Sequence, residues 1–564
     1  MKFNEFPYTR PDFEAYKQSF NETLKSFSSA LDAAEQRSYF RKINELRQAV
    51  DSMSTLASIR HSIDTNDAFY KEENDYWDEY KPLYAELDST FYKAVLSSPY
   101  LEDFKDWVPE PFFKIAANAL KAFDPAIIEE LQEENRLVSS YYQLIASAQI
   151  ELDGKTYTLS QLTPLTQAPD RALRKRAFEA RTKFLAENEV AIDTIYDELV
   201  QLRTKIAQKL GFDNYIPLGY LRMNRLDYNQ DMVAGYRDSV LKNVVPFTQE
   251  LYQKQAKRID VDKLAYYDIA YEFKSGNPVP KEDMETMVKA AQGMYKELSP
   301  ETDAFFSFMQ THELMDLASK KGKQGGGYCT YISDHKAPFI FANFNETAHD
   351  VEVLTHEAGH AFQVFQSRWI DVPECQWPTL ESCEIHSMSM EFLTWPWMKL
   401  FFEDDTEKYK FIHLSESLLF IPYGVTVDEF QHWIYENPDA SPSERRKKWL
   451  ELEKKYLPTR DYGEVEDLKE GIFWFRQGHI FSSPFYYIDY TLAQICAFQF
   501  WIKAQENREK TWQEYLALCR LGGSRPFFKL MEAANLSNPF NEGTIASVIP
   551  HIRKFLESIN DMEL

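Results

Sequence analysis

The chain has 564 residues, 44% of them hydrophobic and 27% charged, which is ordinary for a globular protein but too long for one simple core. A formal charge of −25, from 63 basic and 88 acidic residues, argues against a nucleic-acid partner, because a polyphosphate backbone calls for a basic surface. Five widely spaced cysteines, no apolar leader at the N-terminus and no run of about 18 apolar residues predict a cytoplasmic protein without disulfides or a membrane span.

From residue 11 to about 145 the chain reads as successive helices. "PDFEAYKQSFNETLKSFSSALDAA" and "YFRKINELRQAVDSMSTLASI" both repeat apolar positions at three and four residues. "AQIELDGKTYTLSQL" interrupts them with two short alternating runs around Asp153-Gly154, a hairpin signal. Helical periodicity then resumes from Asp170 and is expected to close at Gly211. A soft division near residue 160 separates a helical N-terminal lobe, 1–160, from the remaining 161–564.

Beyond residue 320 a glycine cluster leads into two β-like runs, "YCTYIS" and "FIFANF", with a turn from Asp334 to Ala337 between them. A helix over 350–368 follows, for which Thr347 or Asp350 supplies the start signal. It carries "VLTHEAGHAFQVF", with His356 and His360 four residues apart. That spacing is about 400° of helical rotation, so the two imidazoles lie one turn apart on one face and can reach a single metal ion. Glu357 borders the same face, where a carboxylate can take a proton from an activated water. The pattern is H-E-x-x-H.

A hydrolytic zinc site needs a third protein ligand and an open fourth position. Gln363 and Gln366 stand where the longer H-E-x-x-H-x-x-G-x-x-H pattern requires glycine and histidine, which excludes that class. "PTLESCEIHSMSMEF" offers Glu384 on a returning helix that Thr379 can begin and Pro396 end. Cys383 and His386 compete for the role, although each points well away from Glu384. Glu391, two turns on, shares the face of Glu384 and suits the orienting of a ligand histidine. Further on, "HIFSSPFYYIDYTLAQ" carries His479, Tyr486, Tyr487 and Tyr490, groups able to donate hydrogen bonds to a developing oxyanion.

"GKQGGGYCTYISDHKAPFIFANFNETAHDVEVLTHEAGHAF", "PTLESCEIHSMSMEF" and "HIFSSPFYYIDYTLAQ" together resemble the thimet oligopeptidase and oligoendopeptidase F group of zinc metallopeptidases. Gly359 matches that group's H-E-x-G-H form. The match runs over roughly 200–545, and the N-terminal part agrees only in helical character. The resemblance implies a mainly α, two-lobed zincin-type metallopeptidase with a small sheet beside the active-site helix and a deep central channel. It implies one zinc ion per chain on His356, His360 and Glu384, with Glu357 as general base. His479 and Tyr490 would face the substrate, and Tyr487 falls on the group's other tyrosine, with Tyr486 the alternative. "IFSSPFYY" departs from the thimet branch, which has a glycine-rich loop there. The expected activity is cleavage of internal bonds in short peptides, with the backbone of "FIFANF" around Ala342 aligning the substrate. Two rivals are a zinc carboxypeptidase on a similar scaffold and a helical peptide-binding protein with a closed structural zinc.

Overall fold

Short acidic side chains start the N-terminal helices. Asp12 accepts from the Ala15 amide, Asp32 from Glu35, and Asp67 from Phe69 and Tyr70, each satisfying amides that a helix leaves free at its first turn. The computed structural model, which describes residues 1–463 and 465–564, places helices at Phe13–Ser28, Ala33–Ile63, Ala68–Leu96, Glu110–Ala122 and Ile128–Ala146. Phe20, Phe27, Phe40, Phe91, Phe104 and Phe112 fill the core of this lobe. Ile370, Val372 and Cys375, which follow the histidine helix, pack into the same core. Arg47 and Tyr92 clamp Glu374 at 2.6 Å each, tying the lobe to the catalytic half.

The predicted hairpin is present as β1 (Ile150–Leu152) and β2 (Lys155–Tyr157), antiparallel, with Asp153 and Gly154 at φ +50° and +79°. Both turn residues are left-handed, which accounts for the Asp-Gly pair. The helical run that follows is split at Asn188 into Arg171–Glu187 and Glu189–Lys209, and Gly211 closes the second at φ +85°.

A second sheet holds β3 (Met315–Ala318), β4 (Tyr328–Ile332) and β5 (Ala337–Phe344) in the order β3-β5-β4. β4 and β5 pair antiparallel from Tyr328↔Phe341 to Ile332↔Ala337, and β3 runs parallel to β5. β5 is therefore the central strand. Ala342, 0% exposed, lies one residue past the last pair with β4 (Tyr328↔Phe341) and at the irregularity in the pairing with β3. β3 and β4 are the two edges, and a cavity lies beside β4. The β4 residues Tyr328, Cys329 and Thr330 face Ser58, His61 and Lys81 of the N-terminal helices across this polar cavity of about 510 Å³.

Among the further helices, His349–Ser367, Leu380–Leu393, Thr406–Glu436 and Ile488–Glu506 position the candidate site. The 380–393 helix lies between the 349–367 and 488–506 helices, and its residues are buried almost without exception. No helix among the described residues is long and apolar enough to cross a membrane.

Candidate active site

The close approach of the first two helices depends on a missing side chain. A Cβ built on Gly359 would lie 2.7 Å from the His386 carbonyl oxygen and 2.7 Å from the Ser387 Cα, so only glycine lets the two backbones meet here. At that contact the 380–393 helix delivers Glu384 to the histidines. Glu384 Oε2 lies 3.2 Å from His356 Nε2 and 3.4 Å from His360 Nε2. One donor atom from each of the three falls within 4.8 Å of the others. Burial alone would raise the Glu384 pKa, but His360 and His356 hold it far below the usual carboxylate range.

The histidines are held from behind. Glu391 Oε1 accepts from His356 Nδ1 at 2.7 Å, and Glu391 Oε2 accepts from His413 Nε2 at 2.7 Å. Trp395 Nε1 donates to His413 Nδ1 at 3.1 Å, so the hydrogen of that ring sits on Nε2. Against the cost of burial, these two histidines bring Glu391 down to about 2. An ionised Glu391 accepting from Nδ1 leaves the Nε2 lone pair of His356 directed at the centre. His413 went unnoticed in the sequence, where nothing in "KFIHLSESLLF" links it by spacing to Glu391.

Both competing ligands are turned aside. His386 is fully buried, donates from Nδ1 to the Ser382 carbonyl at 2.6 Å, and is lowered to about 4 by burial. Cys383 bonds the Pro378 carbonyl at 3.3 Å. Glu357 is 6% exposed, and its Oε2 has no partner. Burial raises its pKa, opposed by His356 and His360. Gly327, just before β4, comes so close that a Cβ there would be 3.4 Å from Glu357 Oε1.

The aromatic cluster stands opposite. Tyr486 donates to Glu384 Oε1 at 2.5 Å. Tyr490 and His479 Nε2 are 3.2 Å apart, and the Tyr487 ring is 5.1 Å from the His479 ring. Tyr423 donates to Gln477 Oε1 at 2.9 Å, and Gln477 Nε2 donates to His479 Nδ1 at 2.7 Å. That chain fixes the His479 tautomer with its hydrogen on Nε2, facing Tyr490. Burial lowers His479 to about 4, so it is a neutral donor, and burial raises all three phenols well above their ordinary value. Arg225 anchors the cluster. It bonds Asp489 at 2.8 Å, Glu381 at 3.1 Å and the Phe485 carbonyl at 2.8 Å, joining the 488–506 helix to the helix that carries Glu384. Neither Gln477 nor Arg225 was singled out from the sequence.

Two imidazoles on one helix, a carboxylate from the helix crossing it and an unpartnered acid beside them, on a mainly α body, define a metallopeptidase. Residues 164–548 match the model of peptidase family M3, and residues 3–123 match the peptidase M3 N-terminal domain. The chain belongs to peptidase family M3. It is similar to the oligoendopeptidase F homolog of Borreliella burgdorferi, at 22% identity over 90% of this chain and 85% of that one. Among solved structures it is similar to Pz peptidase A solved with an inhibitor, at 53% identity and TM-score 0.98 over the whole of both chains. An X-ray structure with a provisional oligoendopeptidase F assignment matches at 56% identity and TM-score 0.99, again over both full lengths.

Proposed function

We propose that this protein is a zinc-dependent endopeptidase that hydrolyses internal bonds of short peptides. The observation that carries this reading is the convergence of His356, His360 and Glu384 beside the orphaned Glu357 oxygen. The donor set fits zinc: two neutral-capable imidazoles and one carboxylate, with Glu391 orienting the first histidine. Zinc on these three groups supplies Lewis-acid chemistry, acidifying a water and polarising the scissile carbonyl.

Glu357 takes the proton from the attacking water at its unpartnered Oε2 and returns it to the leaving amine. Its raised pKa suits the first transfer, since a more basic carboxylate takes a proton more readily, and the resulting carboxylic acid is still far more acidic than an ammonium and so can protonate the leaving amine. His479 Nε2–H and the Tyr490 hydroxyl are the donors for the negative charge that develops on the carbonyl oxygen. Tyr486 shares Glu384 and is placed to exchange that contact for the substrate, with Tyr487 supporting the His479 ring. An extended peptide adds to the free edge of β4, whose hydrogen-bonding groups line the cavity next to Glu357. Folded proteins cannot present a bare strand there, which restricts substrates to short chains. All five cysteines are free, in keeping with a reducing, cytoplasmic setting.

The test is digestion of a mixed peptide library blocked at both ends, with and without a chelator, read by mass spectrometry. Internal cuts that vanish with chelator and return with zinc are expected. No cuts in the blocked library, with cleavage in a parallel library that has free C-termini, would make it a carboxypeptidase instead.

A further inference from the structure

Beside the centre, a second cavity of about 340 Å³ shares Glu391, His413, His479 and Tyr490 with it as wall. Two acids from different helices face into this space, Glu352 from 349–367 and Glu416 from 406–436. Glu352 has His349 Nδ1 at 3.2 Å on one side. Glu416 is solvent-exposed; its carboxylate has neither a hydrogen bond nor an ion pair among the described residues, and the charges that act on it, Glu352 and Glu272, are both of its own sign. A third group on the wall, Gln494, is 4% exposed and its Nε2 has no partner.

Two carboxylates facing one space repel each other and so favour a cation between them, and a buried amide donor without an acceptor is costly. A peptide brings both missing partners, a main-chain carbonyl for Gln494 and a cationic nitrogen for the acids. We propose that this cavity is a cation-selective substrate subsite, in which Glu416, assisted by Glu352, takes an ammonium or guanidinium group borne by the peptide close to the scissile bond, while Gln494 takes a neighbouring peptide carbonyl. The inference rests on the endopeptidase reading above and adds to it a preference for basic peptides. A long cationic side chain suits the place, because its stem can lie along Phe420 and Met388 while its head reaches the carboxylates.

The experiment is a positional scan of peptides blocked at both ends, carrying lysine, norleucine or glutamate at each site in turn, cleaved by the zinc-loaded full chain. At one position near the cut, lysine should raise kcat/KM about five- to tenfold over norleucine, glutamate should lower it, and added salt should shrink the difference. In Glu416→Gln the lysine-to-norleucine ratio should fall toward one, and in Glu416→Lys it should invert in favour of glutamate. Parallel peptides with a free α-amine distinguish the sources. A gain confined to them assigns the pocket to the N-terminal ammonium, while a gain in blocked lysine peptides assigns it to a side chain. Cleavage with no such preference at any position, or a preference that survives Glu416→Gln, overturns the subsite and leaves the endopeptidase standing. If no peptide is cleaved, the endopeptidase reading falls. The subsite is then decided by fluorescence anisotropy, where equal binding of lysine and norleucine peptides overturns it as well.

Discussion

His356 and His413 are joined through a single carboxylate: the two oxygens of Glu391 accept one N–H from each, both at 2.7 Å. The arrangement holds the His356 ring from outside the metal-binding face, and Trp395 holds His413 in turn. Glu391→Ala is expected to weaken zinc binding about 10–100-fold, and His413→Phe to weaken it in the same direction by less. Competition against a fluorescent zinc chelator measures both. Unchanged affinity in Glu391→Ala would remove the orienting role.

Glu357 contributes no donor atom to the three that converge, yet it borders them. Glu357→Gln is expected to keep one zinc per chain by elemental analysis while kcat falls about 10²–10⁴-fold. Wild-type turnover in that variant would assign the proton transfer to another group.

Gly359→Ala places a methyl group against the backbone of His386 and Ser387. Neither is the end of a flexible side chain, so the helices must separate, at about 1–3 kcal/mol. Since the helix pushed away carries Glu384, the variant should lose zinc affinity together with melting temperature. A lowered melting temperature with zinc affinity intact would mean that the strain is absorbed elsewhere.

His479 has a pKa of about 4 because burial disfavours the imidazolium, against about 6.5 in an unfolded chain. As pH falls below 6.5 the unfolded chain binds this proton first. Its contribution to stability is therefore full above 6.5 and declines toward pH 4, by up to about 3 kcal/mol. Thermal unfolding at pH 7 and pH 5 should show a smaller acid loss in His479→Gln than in the wild type. Equal losses in the two proteins would refute the depressed pKa.

The features legible in the sequence are those encoded within a few residues of one another. His356, Glu357 and His360 follow from helical spacing, the Asp153-Gly154 turn from its φ requirement, and the Glu384 helix from its own caps and its distance along the chain. No local pattern in the two predicted strands reveals that β5 is central. That depends on β3, four residues paired in parallel across a long connection. His413, Gln477 and Arg225 were invisible for a related reason. His413 and Arg225 meet partners on distant elements, and Gln477 meets Tyr423 across the fold, so no local periodicity marks these contacts. The interruption at Asn188 was hidden because the flanking segments are both strongly helical.

A five-residue strand with an unpaired side is ordinarily a hazard, because another molecule's backbone can zip onto it and seed a growing assembly. Here that side of β4 is walled in by Ser58, His61 and Lys81, too confined for a second sheet to approach. On the function proposed above, the same stickiness that would make fibres on an open surface serves single, extended guests.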